Sequence, residues 1–449
     1  MEKRAVLSLS SIYALRMLGL FMILPVLSLF AEQMEGATPL LIGLAISVYG
    51  LTQAVLQIPF GLLSDRFGRK KIIIIGLILF SAGSMVAAVS TTIYGVLIGR
   101  AIQGSGAIAA AIMALVADLT QEVHRTKAMA TIGASIGISF GVAITLGPIL
   151  AGYVGIAGIF WLTGVLAILA ILVVLFLVPN PKKSIVHCDA ELVPSQFSNV
   201  LKNPDLLRLD FGIFVLHLCL TASFVVLPLL LRDAGLVPEE HWKLYLPILV
   251  TSMAVIVPFV IIAEKKRQMK KVFVGAIITL LIANIGLFEF SNMFWGLAGF
   301  LWLFFCGFNL LEATLPSLIS KTAPADLKGT AMGAYSSSQF MGAFVGGLMG
   351  GWVYGEFGAE VVFLLCAMTT GAWVIVALFM NPPRYLANML LSLGQLGENK
   401  GDEFVMELLE ITGVEEVKLH FEENVAYLKV DNKVLQKDTL QKFLNEWLV

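Results

Sequence analysis

The stretch GLLSDRFGRKK, residues 61–71, places five charged side chains and two glycines between two long apolar runs. The runs cover residues 39–63 and 72–89. A helix needs about 20 residues to cross a hydrocarbon core, so each run is close to membrane-spanning length. A charged connection this short must then lie at a membrane surface. Four of its five charges are basic, which predicts the cytoplasmic surface.

Composition indicates a membrane protein with a different kind of segment at its end. Of the 449 residues, 58% are hydrophobic and 14% are charged, whereas a soluble domain has about a quarter charged residues. The net charge of −1 divides into +4 for residues 1–383 and −5 for residues 384–449. We therefore predict a membrane body followed by an acidic, soluble domain.

Twelve apolar runs approach membrane-spanning length. The first follows Lys3 and Arg4 as in a signal peptide, but Arg16 interrupts it and no cleavage site is evident, so we interpret it as a helix. The predicted spans are 7–30, 39–63, 72–90, 93–117, 128–150, 156–178, 206–231, 244–263, 272–290, 293–319, 330–354 and 361–380.

Charges in the connections predict the orientation. Alternate connections are basic, and the others are acidic with few bases, so the basic set is expected in the cytoplasm together with both termini. The basic set comprises Lys3/Arg4, Arg66–Lys71, Arg125/Lys127, Lys182/Lys183/Lys202, Lys265–Lys271 and Lys321/Lys328, and the acidic set comprises Glu32/Glu35, Glu239/Glu240 and Glu356/Glu360.

An internal repeat with an offset of 203 residues divides the body into two parts. Leu24-Pro25 matches Leu227-Pro228, and Ala128-Met129 matches Ala331-Met332. Gly147 and Gly152 likewise match Gly350 and Gly355. One offset that aligns such distant sites predicts two six-helix halves, 1–178 and 206–383, with a substrate path between them. Residues 179–205, which contain four prolines, are predicted to link the halves in the cytoplasm.

The pattern G-x-L-x-D-R-x-G-R-K in residues 61–71 resembles the signature of the major facilitator superfamily of transporters. A plain basic turn would explain its lysines and arginines, but not the interleaved Asp65 and the glycines. The resemblance implies a conformational latch, in which an arginine of the turn pairs with Asp118 and Asp65 approaches the helix that begins near Thr330. The latch residues implied are Gly61, Asp65, Arg66, Gly68, Arg69 and Asp118.

A second motif lies within the fourth span, where Arg100, Gln103 and Gly104 form the pattern R-x-x-Q-G. A buried arginine in a membrane needs a partner or a wet cavity. The pattern resembles a superfamily signature whose arginine is associated with proton coupling. We favour this functional interpretation over a purely structural ion pair.

The fifth span carries Gly133, Gly137 and Gly141, followed by Gly147-Pro148 and Gly152. Small residues let helices approach closely, and that alone would explain the pattern. It also resembles the antiporter signature of proton-coupled drug exporters, although Ala143 and Ala151 replace two glycines of that signature. The resemblance favours an exporter over an importer.

Three further polar side chains are expected at membrane depth: Arg16, His217 and Glu312. A proton-driven carrier needs a group whose pKa responds to solvent access and to neighbouring charge. Glu312 suits this role, although binding a cation within a structural network is an equal alternative. His217 ranks lower, because a single histidine among apolar residues is more often hydrogen-bonded packing.

Residues 384–449 are predicted to fold as a small α+β, ferredoxin-like domain in the order βαββα. They resemble heavy-metal-associated domains, but the last cysteine of the chain is Cys366. We therefore expect no metal site there, and favour a stabilising or partner-binding appendage whose partner is a protein or a ligand. The four cysteines, Cys188, Cys219, Cys306 and Cys366, show no paired spacing that would indicate a disulfide or metal framework.

These features predict a transporter of the inner membrane that exports a small amphipathic compound in exchange for protons. We expect no enzymatic activity, no cofactor and no nucleic-acid partner, and no phosphate-binding loop that would indicate ATP as the energy source. Two alternatives remain. One is a facilitator or importer of a polar metabolite such as a sugar, and the other is a transporter-like sensor that signals through its cytoplasmic tail.

Overall fold

A computed structural model describes residues 2–120, 122–180, 196–324, 327–382, 386–394, 396, 398–421, 424–431 and 433–448. Much of the predicted linker 179–205, with Cys188, lies outside these residues. The helices of the body are α1 (Glu2–Ile23), α2 (Leu27–Ala31), α3 (Pro39–Phe67), α4 (Arg69–Val89), α5 (Ile93–Ser105), α6 (Ala109–Leu119), α7 (Glu122–Phe176), α8 (Phe197–Leu201), α9 (Pro204–Asp233), α10 (Trp242–Lys265), α11 (Met269–Phe290), α12 (Phe294–Thr322), α13 (Lys328–Phe357) and α14 (Ala359–Leu378).

Ten helical stretches within the described residues are long and apolar enough to cross a membrane. One of them, residues 127–176, contains a break at Gly155, whose φ of 64° and ψ of −177° are not helical. This break separates the predicted fifth and sixth spans. Helix α13 has 30 residues but is not among the ten, and its sequence is rich in glycine and serine. The body is thus a bundle of long, mostly apolar helices.

Two predicted spans are interrupted rather than continuous. The run 7–30 forms α1 and α2, which are separated by residues 24–26, because Pro25 has no N–H to continue the helical ladder. The run 93–117 is divided into α5 and α6 around Gly106. A Cβ on Gly76 of α4 would lie 3.5 Å from the Gly106 carbonyl carbon. This break therefore lies where two segments of the chain cross closely.

The sequence repeat reappears in the packing of the bundle. Helix α1 packs along α7, and α9 packs along α13. At the first crossing a Cβ on Gly147 would meet the Met22 carbonyl oxygen at 2.6 Å, and at the second a Cβ on Gly350 would meet the Ala222 Cα at 2.9 Å. Repeat-related glycines therefore bring repeat-related helices together. We call α1–α7 the first helix group and α9–α14 the second.

The two groups touch at the end of the bundle opposite residues 61–71. There α3 lies against α13, where a Cβ on Gly43 would come within 2.8 Å of the Gly351 Cα. At the same end Arg232 of α9 donates to Glu32 beside α2, with an Nη1–Oε2 distance of 2.6 Å. A Cβ on Gly152 would meet the Glu239 side chain. Backbone packing and an ion pair together close this end.

The groups stand apart toward the end that carries residues 61–71, which we call the turn end. Gly141 lies eleven residues, about three turns, before Gly152 and so faces the same way along α7. A Cβ on Gly133, Gly137 or Gly141 would nevertheless have no neighbour within 4 Å. The second group therefore does not reach α7 at these glycines as it does at Gly152, and we call the space beside them the gap.

The tail forms the predicted βαββα unit. Its elements are β1 (Ala387–Ser392), α15 (Gly401–Glu410), β2 (Val414–His420), β3 (Val425–Val430) and α16 (Lys437–Leu448). The strands form an antiparallel sheet in the order β1-β3-β2. Phe404 of α15 packs on Phe443 and Trp447 of α16, and Leu428 of β3 lies in the same apolar cluster. The tail therefore has a core of its own.

Candidate functional site

Arg69 organises the charged turn. Its Nη1 donates to the Asp65 carboxylate one turn earlier, and also to the Ser64 hydroxyl at 3.0 Å. Its Nε donates to Asp118 Oδ2 at the end of α6 at 3.3 Å. The side chains of Arg69 and Asp118 are 2% and 0% exposed. Because both charges are withdrawn from water, their mutual attraction offsets part of the cost of burying them.

The remaining predicted latch residues surround this pair. Gly68 has a φ of 98°, a conformation that glycine adopts without steric cost, and it joins α3 to α4. Gly61 faces α6, where a Cβ would meet the Ala110 Cβ at 3.3 Å. Arg66 is exposed and lies over the Phe67 ring. Asp65 is paired with Arg69 here, and its predicted approach to the helix beginning near Thr330 stays a prediction.

Two buried guanidinium groups flank one tyrosine in the first helix group. The carbon centres of Arg16 and Arg100 lie 5.9 and 5.2 Å from the Tyr49 ring centroid, within the range of cation–π attraction. Arg16 is 0% exposed, and its Nη2 donates to the Tyr49 hydroxyl and to Gln53 Oε1, both at 2.7 Å. It also donates at 3.0 Å to the carbonyl of Gly106, which lies in the break between α5 and α6.

Arg100 ties α5 to α3 through backbone oxygens. It donates to the carbonyls of Ala45 at 3.2 Å and Ile46 at 2.9 Å, and to the Gln103 side chain at 3.0 Å. Gln103 in turn donates to the Ser84 hydroxyl of α4 at 2.7 Å. Arg100 therefore has several acceptors and no carboxylate among the hydrogen bonds of the described residues.

The second helix group holds acidic side chains instead. Glu312 of α12 keeps 40% of its side chain exposed, and its Oε2 lies 3.9 Å from His217 Nε2 of α9. That oxygen has no hydrogen-bond partner among the described residues. His217 Nε2 lies 2.8 Å from the Gln339 amide of α13. The Phe308 ring lies 5.9 Å from His217 and 6.2 Å from Phe140 of the first group, so this site borders the opposite group.

Sequence reasoning missed two members of this acidic region. Asp210 of α9 is 6% exposed, and its Oδ1 has no hydrogen-bond partner within the described part of the chain. The buried Tyr335 of α13 lies within electrostatic range of both Asp210 and Glu312. Asp210 stands seven residues before His217 on the same face of α9. Its position six residues after Pro204, within an apolar run, was the available signal.

The site thus has its basic side chains in one helix group and its acidic side chains in the other. Arg16 and Arg100 are buried in the first group, while Asp210 and Glu312 lie in the second. No ion pair of the described residues joins these four side chains. Such an arrangement can present a proton-binding carboxylate to the gap while the buried arginines hold the first group together.

The predicted packing residues occupy tight crossings. Gly104 of α5 faces α3, where a Cβ would lie 2.9 Å from the Tyr49 Cα. Gly147 contacts α1, and the neighbouring Pro148 is buried within α7. In contrast, Gly133, Gly137 and Gly141 border the gap. Close packing in this conformation therefore does not explain these three glycines.

Replacement of Gly104 by alanine is expected to destabilise the protein by about 1–3 kcal/mol, the usual cost of overpacking. The added methyl group would push α5 away from Tyr49 and disturb both flanking arginines. Gly137→Ala is the matched control, because its methyl group would meet no neighbour within 4 Å. Thermal unfolding of the purified variants in detergent tests this, and equal melting temperatures would contradict it.

Comparison with known proteins connects this geometry to one family. Residues 9–347 and 270–390 match the sequence profile of the Major Facilitator Superfamily. The chain is 47% identical to the inner membrane transport protein YajR of Escherichia coli (strain K12), over 99% of this chain and 98% of that protein. It is 25% identical to the quinolone resistance protein NorA of Staphylococcus aureus (strain MSSA476), over 80% and 92%. The structure of the human organic anion transporter MFSD10 superposes with a TM-score of 0.62 at 19% identity, over 84% of this chain and 99% of that one.

Proposed function

Because the chain belongs to the Major Facilitator Superfamily, a family of transporters and not enzymes, we propose that it exports a small amphipathic compound in exchange for protons. In this proposal the long helices make twelve crossings of the inner membrane. They form two six-helix halves, residues 1–178 and 206–383, joined by the segment 179–205. Both termini and the tail, residues 384–449, lie in the cytoplasm.

The observation that carries the proposal is the Glu312 carboxylate. It lies in a membrane helix, and 40% of its side chain is exposed, while its Oε2 atom is buried and has no hydrogen-bond partner among the described residues. An ionised carboxylate in a membrane helix is costly, so its presence there indicates a functional role by default. Binding and release of a proton, or of a substrate that displaces it, would supply that function. His217, 3.9 Å away, adds a second group that can hold a proton.

The contacts at the two ends of the bundle support alternating access. The Arg232–Glu32 pair and the α3–α13 packing close the end opposite the turn, and the gap opens at the turn end. Opening toward the other side would require Arg232 and Glu32 to separate. The turn cluster of Arg69, Asp65 and Asp118 lies where the gap would then close, which suits a latch.

Two observations support export rather than import. The relative NorA is a quinolone resistance protein, and the glycine-rich first part of α7 resembles the antiporter signature. Its glycines line the gap and so offer room for a compound between the helix groups. The Phe308 ring lies beside His217 and the Phe140 ring, so an amphipathic compound would find both apolar and polar contacts there.

An imposed proton gradient is expected to drive uptake into proteoliposomes whose lumen is more acidic than the bath. The probe is the compound to which a deletion strain becomes most sensitive across a panel of cationic, neutral and anionic amphipathic compounds. One proton moving through 100 mV supplies about 2.3 kcal/mol, enough for roughly 50-fold accumulation. An equal flux with and without the pH step would contradict antiport and support the facilitator alternative.

A further inference from the structure

Both faces of the tail sheet are covered along β3. All six residues of β3 are buried, and successive side chains of a strand point to opposite faces. Ala426, Leu428 and Val430 lie in the apolar cluster that α15 and α16 complete. Val425, Tyr427 and Lys429 must therefore point away from those helices. Their burial shows that this second face lies against other parts of the protein.

Lys429 provides the central polar contact of that face. It is 4% exposed, and its Nζ donates to the carbonyl oxygens of Lys321, at 3.1 Å, and of Ala323. These residues lie at the C-terminal end of α12, which ends at Thr322. The last carbonyls of a helix lack intrahelical donors, and a cation is favourable at this negative end of the helix dipole. Lys429 thus caps α12 from a different domain.

A second contact ties the tail to the end of α10. Arg267, which follows that helix, donates to Asp431 Oδ1 at 2.6 Å. This hydrogen bond holds the pKa of Asp431 below its usual range. Glu264 of α10 accepts from Ser317 Oγ at 2.9 Å and from Lys321 Nζ at 2.7 Å. The tail, the end of α10 and the end of α12 therefore form one connected unit.

Pro316 separates this unit from the rest of α12. Proline has no N–H, so the carbonyl four residues earlier loses its helical donor and the helix can bend there. That earlier residue is Glu312. The segment 317–322, beyond the proline, is the part held by Glu264 and Lys429. Its end lies roughly 15 Å along the helix from Glu312, at 1.5 Å per residue.

We propose that Lys429 is a positioning residue for transport: by capping the segment 317–322, it fixes the direction of α12 beyond Pro316 and so holds the Glu312 carboxylate at the gap. The tail is then a brace for the second helix group. The inference rests on the proposed function of Glu312 for its consequence in transport, but the position of the carboxylate can be measured without any transport.

The test is labelling of Glu312 by dicyclohexylcarbodiimide in the purified full-length chain, followed by mass spectrometry across a pH series. Lys429→Met is expected to change the labelling rate by at least about threefold, which corresponds to half a pK unit. Lys429→Arg, which can still donate to the two carbonyls, should restore the wild-type rate and pH midpoint. Lys442→Met is the matched control, because Lys442 is exposed on the same domain.

A second set of variants keeps the proposal falsifiable if Lys429→Met fails to fold. Arg267→Glu and Asp431→Lys should each shift the labelling midpoint, and the two together should restore it by exchanging the charges of the pair. Wild-type labelling in Lys429→Met, or an equal shift in Lys442→Met, would overturn the proposal. So would the absence of restoration in the exchanged pair. Because the readout needs no proton gradient, failure of antiport would be seen separately, in the proteoliposome flux.

Discussion

Glu312→Gln is expected to abolish proton-driven accumulation while leaving a folded protein in the membrane. Glutamine keeps the size of the side chain and its capacity to hydrogen-bond, but it cannot bind and release a proton. The variant should therefore lose the roughly 50-fold gradient that one proton per cycle can sustain at 100 mV. Exchange of compound across the membrane at equal pH should persist, because that exchange needs no net proton movement.

The measurement compares accumulation under a pH step with equal-pH exchange in the same proteoliposomes. Glu356→Gln is the matched control, since Glu356 is an exposed carboxylate of α13 far along the helix from the site. Normal accumulation in Glu312→Gln would show that Glu312 does not take part in proton coupling. In that case Asp210, the buried carboxylate of α9, becomes the next side chain to replace.

Arg69→Ala is expected to have the largest effect on stability among substitutions in the charged turn. Removing one partner of a buried ion pair costs about 3–5 kcal/mol, because the remaining charge stays buried. Here the Asp118 side chain is 0% exposed and would lose the guanidinium that pairs with it. Arg69→Lys should recover only part of the loss, since an ammonium group lacks the planar fork of donors that reaches Asp65, Ser64 and Asp118.

Thermal unfolding in detergent and the yield of folded protein in the membrane test this prediction. Lys71→Ala is the matched control, because Lys71 is exposed on the same turn. Asp65→Asn tests the latch function without a large loss of stability. The Asp65 side chain is 32% exposed, so the protein should still fold while transport falls. A melting temperature of Arg69→Ala equal to that of Lys71→Ala would show that the buried pair contributes little.

The class of protein and its family could be predicted from the sequence because both depend on local patterns. Long apolar runs must become helices in a membrane, where every backbone polar group needs an internal partner. The spacing of residues 61–71 was specific enough to indicate the superfamily, which the comparisons confirmed. The βαββα order of the tail followed from the alternation of apolar residues in its strands, a property of each segment alone.

Pro25 is a visible signal for the first interruption, because proline cannot continue the helical ladder, but the interruption near Gly106 was less predictable. A hydrophobic run without proline gives no sign of where its ladder breaks. Gly106 is such a case, because its carbonyl accepts from Arg16 of a different helix. The pairing depends on how α1, α3 and α5 are rotated against one another. That rotation is a property of the packed bundle and not of any one segment.

The sequence by itself therefore determined that this chain is a helical membrane transporter of the Major Facilitator Superfamily with a small folded tail. Only the tertiary structure decided the partners of its buried charges. It placed Arg16 and Arg100 on either side of Tyr49, Glu312 beside His217, and Lys429 on the end of α12. The physical reason is that hydrophobic burial follows composition and period along the chain, whereas hydrogen bonds and ion pairs require atoms from distant segments to meet within about 3 Å.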